Sequence, residues 1–198
     1  MQDHFKDKAQ NWDSGDIRVS GAKKIAEAIE KRITLTQDMD ILDFGVGTGL
    51  LGFEIAKKVK QVYGVDTSKT MLKKLEEKNT PELNIIPFNQ DIIQEPLTQS
   101  FNGLVSSMTL HHVKDIEAFF ETIFKNITKG GFLAIADLES EDGTFHSDNT
   151  GVHHFGFDIN TLRKIVEKSG FKDVNIENIN TISKPDHDFG VFLLTAKK

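Results

Sequence analysis

The side chains of this 198-residue chain that could do chemistry are carboxylates and histidines, because it contains no cysteine. Asp43 ends the apolar run Ile41-Leu42-Asp43-Phe44 and opens the turn Gly45-Val46-Gly47-Thr48-Gly49. Glycines in such a turn let the backbone approach a ligand that a Cβ would exclude. A helix starting behind them aims unpaired N–H groups at the same place. Asp66 and Asp91 follow the next two apolar runs, 62–65 and 84–88. In open α/β sheets ligands bind along the edge formed by the carboxyl ends of the strands. Three carboxylates on that edge, without basic partners, point to a ligand with positive charge and several hydrogen-bond donors. Any one of them alone could be a helix N-cap; the reading rests on three in succession.

The histidines form two groups. His111 and His112 come just after the fourth apolar run, 103–107. They are candidates for a general base, needed only if a substrate must lose a proton; the alternative is packing at a helix start. His146, His153 and His154, with Asp148, lie in the polar stretch 139–157. They could orient a substrate, bind a metal, or simply line a solvated loop. His154 is taken with His111 and His112 as a candidate catalytic residue. No ligand spacing is present, so no metal is expected.

The glycine turn has a competing interpretation. Gly47, Gly49 and Gly52 also match the dinucleotide fingerprint, and Asp66 lies at a distance suited to a ribose. A NAD-dependent oxidoreductase is therefore the alternative enzyme class. Asp43 counts against it, since a carboxylate there would repel a pyrophosphate.

The elements that must position these residues alternate. Ala22, Ile25, Ala26, Ile29 and Ile33 predict a helix over 20–33. After each of the first two strands comes a helix, the second opened by Ser68 as N-cap. The third strand, 84–88, contains Pro87, which suits a sheet edge. Asp115 opens an amphipathic helix carrying Ile116, Phe119, Phe120, Ile123 and Ile127. A turn at Lys129-Gly130-Gly131 precedes a fifth strand, 132–137. Asp158 opens a last helix that Gly170 ends. The runs 174–183 and 190–195 are separated only by a short polar link with Pro185 and Asp186. So short a link joins antiparallel strands, whereas parallel neighbours need a long crossover. The expected fold is α/β: a Rossmann-like, doubly wound, seven-stranded sheet, mostly parallel with an antiparallel C-terminal strand. It is read as one domain over 1–198, with a helical cover over 1–35 and a substrate-side loop over 139–157.

Composition narrows the function further. Without cysteine there are no disulfides, iron–sulfur clusters, cysteine-ligated zinc or thiol nucleophiles. The formal charge of −6 disfavours a nucleic-acid partner. The lysines at 57, 58 and 60, and at 73, 74 and 78, read as solvated helix faces. No apolar run reaches the roughly 18 residues of a membrane span, and the charged opening lacks the apolar core of a secretory signal. A cytoplasmic location is expected, and the oligomeric state is left open.

The order of these signals resembles the class I S-adenosylmethionine (SAM)-dependent methyltransferases, from about residue 5 to 197. The carrying stretches are 43–49, Val62-Tyr63-Gly64-Val65-Asp66, Gln90-Asp91-Ile92, Val105-Ser106-Ser107-Met108-Thr109-Leu110-His111-His112, and 133–137 with the final hairpin. Residues 5–13 are similar to the start of the ubiquinone/menaquinone C-methyltransferase-like subgroup. The resemblance implies SAM as cofactor, S-adenosylhomocysteine as product and a small-molecule methyl acceptor. It also implies that Gly45 and Gly47 lie under the methionine part of SAM and that Asp43 binds its amino group. Asp66 would take the ribose hydroxyls, Asp91 the adenine amine and the Ile92 N–H the adenine ring. Met71 would pack on the adenine face and Thr67 at its edge, and Met108 completes the cofactor set. Trp12 could close the cover and Arg18 could hold the SAM carboxylate; a core anchor and a surface ion pair are the respective alternatives. The last strand is expected between the fifth and sixth. A SAM-binding protein without catalysis is a third class.

Overall fold

The apolar runs are strands in the computed structural model, which describes residues 9–198. In chain order they are β1 (Asp40–Phe44), β2 (Gln61–Asp66), β3 (Ile85–Asn89), β4 (Phe101–Ser107), β5 (Ile127–Leu138), β6 (Lys172–Lys184) and β7 (His187–Lys197). The helices are α1 (Asp16–Glu30), α2 (Leu50–Ala56), α3 (Lys69–Glu76), α4 (Ile116–Asn126) and α5 (Ile159–Lys168), with 3-10 turns at Ala9–Ser14 and Leu110–His112. Phe5 to Lys8, part of the stretch that resembles the quinone subgroup, lie outside the described residues.

The sheet order is β3-β2-β1-β4-β5-β7-β6. Strand β7 runs antiparallel to both of its neighbours, and the remaining pairs are parallel. Pro87 is accordingly on an edge strand, where its missing N–H costs least. The chain winds outward in one direction from β1 and in the other from β4. The crevice that such a reversal opens lies at the carboxyl ends of these two adjacent strands.

Both faces of the sheet are covered, which is why its strands read as continuous apolar runs. Consecutive residues serve opposite layers. Leu42 and Leu104 pack with Phe119, Phe120 and Phe192, whereas Ile41 and Val105 pack with Ile29, Ile55 and Leu75. The N-caps are those the sequence predicts. Ser68 Oγ accepts from the Met71 N–H (3.2 Å), Asp115 from Ala118 (2.9 Å) and Asp158 from Thr161 (2.8 Å).

Several boundaries differ from expectation: Ile127, expected on the helix after Asp115, opens β5, and β6 and β7 extend beyond the predicted runs to within two residues of each other. The first helix starts at Asp16 rather than 20. Its opening turn leaves Ile17 and Val19 exposed, so apolar spacing carries no signal there. The expected turn at Lys129-Gly130-Gly131 is instead an irregularity inside β5. Pairing with β4 steps from Phe101–Ile127 to Gly103–Phe132. The extra residues are tied to the C-terminus by Gly130 N–H to Lys198 O and Lys198 N–H to Gly131 O, both 2.9 Å. Among the described residues, no helix is long and apolar enough to cross a membrane.

Candidate active site

The first wall of the crevice is the turn after β1. Gly45, Gly47 and Gly49 all have positive φ (+68°, +53° and +86°). A Cβ at Gly45 would collide with the Thr109 side chain, whereas one at Gly47 would meet nothing. Gly45 is thus required by close approach to the segment after β4, and Gly47 faces open space. Asp66, at the end of β2, clamps the turn: its Oδ2 accepts from the Gly47 N–H and its Oδ1 from the Ser68 N–H, each at 2.8 Å. Gly52, read above as a fingerprint position, answers a packing need. A Cβ there would stand 2.8 Å from both Asp43 Oδ2 and Ile85 Cδ1.

Asp43 is 2% exposed, and its Oδ2 has no hydrogen-bond partner. Burial first, and the nearby Asp66 second, hold its carboxyl well above the usual carboxylate range. A buried acceptor without a donor is costly unless a ligand supplies one. The donor set it calls for is cationic or N–H-rich, and the amino group of SAM has that chemistry. A pyrophosphate would meet two carboxylates instead. The residues present therefore fit SAM.

The remaining cofactor candidates lie along the same edge. Asp91 stands two residues beyond β3, where its Oδ1 accepts from the Ile93 N–H (3.0 Å). Ile92 and Met71 are buried, and Thr67 is exposed. Met108 takes a left-handed conformation (φ +54°), rare for a residue with a Cβ. Its N–H donates to Ala136 O at 2.8 Å, pinning the end of β4 to β5. Thr109 Oγ1 lies 3.3 Å from Gly45 O, joining the two turns across the crevice. The 3-10 segment at Ala9–Ser14 adds a cover: Asp13 accepts from Thr48 Oγ1 (2.5 Å) and pairs with Lys78 (2.7 Å). The Arg18 guanidinium lies over the Trp12 ring at 4.3 Å.

The histidines gather on the second wall. His111 and Asp137 are essentially fully buried (1% and 0% exposed). Asp137 ends the apolar part of β5. Its Oδ1 lies 2.7 Å from His111 Nδ1 and accepts the Leu138 N–H, and its Oδ2 accepts the His111 N–H at 3.2 Å. On the other side of the ring, His111 Nε2 faces His146 Nε2 at 3.2 Å. His112 Nδ1 bonds Gly151 O (2.8 Å), and His154 Nε2 bonds Val113 O (2.9 Å). The backbone N–H groups of His153 and His154 both donate to His111 O. Burial, then repulsion from His111, pushes His112 down to about 4, so it is neutral at physiological pH.

The 139–157 loop is thus folded over His111, with residues 147–150 exposed to solvent. Its tip is organised by Glu141, whose carboxylate accepts the N–H groups of Gly143, Thr144 and Phe145. Lys184 of the β6–β7 hairpin bonds Phe145 O and lies 4.3 Å over the Phe145 ring. Sequence reasoning put His111 with His112 and His146 with His153 and His154 in two separate groups, which the structure brings together, and it gave Asp137 no role. The available signal was an acid at the end of an otherwise apolar strand, the same position that singled out Asp43 and Asp66. No group of three or more residues suited to a metal occurs among the described residues.

Fold and site together define a Rossmann-like domain with a glycine turn and a buried, unpartnered carboxylate oxygen at its crevice. Residues 41–131 match the family model of the methyltransferase domain. An uncharacterized methyltransferase of Schizosaccharomyces pombe is 31% identical over 167 residues, covering 74% of this chain and 56% of that protein. One from a Geobacillus species is 30% identical over 149 residues, covering 66% of this chain and 68% of that protein. Among solved structures, phosphoethanolamine N-methyltransferase 2 of Haemonchus contortus in complex with SAM superposes with a TM-score of 0.72 at 19% identity. That match covers 98% of this chain and 60% of the other. The chain belongs to the class I SAM-dependent methyltransferases, a family whose cofactor is SAM. It spans a little over half the length of the fission-yeast relative.

Proposed function

We propose that this chain transfers a methyl group from SAM to a small-molecule acceptor, leaving S-adenosylhomocysteine. The observation that carries the reading is Asp43: a buried carboxylate with an unpartnered oxygen, beside a turn of three left-handed glycines. Bound there, SAM supplies a methyl carbon already activated by its sulfonium. The protein's task is then alignment, worth up to roughly 7–11 kcal/mol in favourable cases.

In this reading Asp43 holds the amino group, and Gly45 and Gly47 give the methionine part its room. Asp66, already fixed by two backbone N–H groups, offers its other lone pairs to the ribose hydroxyls. Asp91 and the Ile92 N–H read the adenine edge, and Met71, Thr67 and Met108 flank the site. Of the three histidines proposed as catalytic, His111 has the environment of a base, set by a buried carboxylate. His112 stays neutral beside it. His154 holds the following turn through Val113 O. The acceptor approaches over β4 and β5, because adenosine occupies the β1–β3 side.

The ubiquinone/menaquinone-type subgroup rests on residues 5–13 alone, so a reduced quinone belongs in the acceptor set to be tested. The experiment is a calorimetric titration with SAM, S-adenosylhomocysteine and NAD. It is followed by a screen of small-molecule pools for S-adenosylhomocysteine release. Saturable binding of SAM and its product, without NAD binding, is the expected result. NAD binding without a response to either adenosyl ligand would overturn the proposal.

A further inference from the structure

Asp137, His111 and His146 run in a line from the sheet's interior toward the 139–157 loop, and His111 is the point at which that loop is held. Resting on the methyl-transfer reading, we infer that Asp137 is a positioning residue for the acceptor. Through His111 it docks the loop as a preformed wall of the acceptor side, where a hinged lid would otherwise lie.

A carboxyl inside a sheet is costly unless donors surround it. Asp137 lies in β5, between β4 and β7, and is fully buried. Its Oδ1 accepts the Leu138 N–H at 2.7 Å and its Oδ2 accepts the His111 N–H at 3.2 Å. His111 Nδ1, 2.7 Å from the same Oδ1, is the third donor. Two of the three donors come from one residue 26 positions away. The carboxyl therefore holds His111 by its backbone and its ring at once. A demand for packing alone would be met by an apolar residue, as at Ala136 and Leu138 on either side.

Held in this way, His111 presents its carbonyl to the loop. The oxygen accepts the His153 N–H at 2.9 Å and the His154 N–H at 3.2 Å. The ring meets His146 Nε2 at 3.2 Å. The next two residues add a bond each, from His112 Nδ1 to Gly151 O and from His154 Nε2 to Val113 O. The base of the loop is closed separately, by Phe157 N–H to Leu138 O (3.0 Å), Ser140 N–H to Phe157 O (3.2 Å) and Glu141 N–H to Phe155 O (3.0 Å). Gly156 permits this approach, since a Cβ there would stand 2.0 Å from Glu139 O. A loop closed only at that neck would be free to swing as a lid. The bonds to residues 111–113 fix its far end before any acceptor arrives, so ordering of the loop no longer opposes acceptor binding. The side-chain bonds of Asp137 all serve this wall, whereas the glycine turn on the cofactor side is clamped by Asp66.

The test compares the wild-type chain with Asp137→Asn, which keeps one acceptor oxygen and leaves a buried His111 donor unpaired. Amide hydrogen exchange is followed by NMR, with and without S-adenosylhomocysteine. In the wild type the His153 and His154 N–H groups should exchange at least about a hundredfold more slowly than those of exposed Ser147 and Asn149 in both conditions. In Asp137→Asn that protection should fall by about tenfold or more. The N–H groups of Gly45 and Val46, which bond Val65 O, should keep theirs. Kd for S-adenosylhomocysteine should stay within about threefold, while the concentration of the small-molecule pools giving half-maximal S-adenosylhomocysteine release rises by about tenfold or more. Unprotected His153 and His154 in the wild type, or unchanged protection in the variant, would overturn the inference. So would a variant that loses S-adenosylhomocysteine affinity and keeps the wild-type half-saturation by the pools. If Asp137→Asn does not fold, nitrogen-15 NMR of the wild-type histidines decides. Hydrogen on His111 Nδ1 is expected, and hydrogen on its Nε2 alone would mean that the ring does not donate to Asp137 and would overturn the clamp. A wild-type chain that protects His153 and His154 but neither binds S-adenosylhomocysteine nor releases it from any pool would instead reject the methyl-transfer reading.

Discussion

Asp43 and His112 are titratable groups whose ordinary pKa values burial shifts, with opposite consequences for stability. The Asp43 carboxyl is raised, so the folded chain keeps a proton that the unfolded chain has released. Stability is then highest below about pH 4 for this group and falls as pH rises toward the folded pKa. Replacing Asp43 by Asn should raise the ligand-free melting temperature at neutral pH and at the same time abolish measurable SAM binding. Scanning calorimetry and titration on one preparation check both halves; a lower melting temperature would mean that the carboxylate is compensated within the protein. His112 behaves the other way. Its pKa falls from 6.5 to about 4, so its contribution is complete above 6.5 and is lost as pH falls through that window. The loss amounts to roughly 3 kcal/mol. In His112→Gln the urea midpoint should vary less between those two pH values than in the wild type.

At the scale of elements, the site depends on how closely the turn after β1 approaches the segment after β4. Gly45 has φ +68°, and a Cβ there would lie 2.6 Å from Thr109 Cβ. Gly45→Ala should therefore destabilise the fold by at least about 1–3 kcal/mol. Thr109→Ala should not rescue it, because the Cβ itself is in the way. Denaturant unfolding of the single and double variants distinguishes this steric account from one based on the Thr109 hydroxyl, in which the double variant would recover. Sequence patterns made the glycine turn visible as a ligand loop. They did not assign Gly45 to packing and Gly47 to open space, because that distinction belongs to a contact across 64 residues of chain.

For the whole molecule, the proposed function divides cofactor and acceptor duties between opposite sides of the β1–β4 crevice. Asp66 is assigned to the cofactor side in that proposal, and it stands at the carboxyl end of β2, half-buried. S-adenosylhomocysteine at a hundred times its dissociation constant should stabilise the wild-type chain by about 2.7 kcal/mol. Asp66→Ala should remove most of that gain, since each charge-assisted hydrogen bond lost costs on the order of 1.5–3 kcal/mol. A thermal-shift series with and without ligand reads it directly. Full ligand stabilisation of the variant would take Asp66 out of the site.

The alternation of apolar runs, caps and turns determined the class of fold, because burial on both sheet faces leaves a local signature in every strand. Ser68, Asp115 and Asp158 were readable as caps for the same reason: each bonds an N–H three residues away. The short link at Pro185 and Asp186 determined the antiparallel end, since so few residues cannot cross a sheet. Tertiary structure alone decided which polar groups are stranded and which are joined. The unpartnered oxygen of Asp43 arises from burial beneath α2, and the Asp137–His111–His146 line draws on β5, a 3-10 turn and a loop. Residues 26 and 35 positions apart meet there at hydrogen-bond distance. No periodicity or local spacing records such a meeting, because it is made by strands that pair side by side after a long crossover.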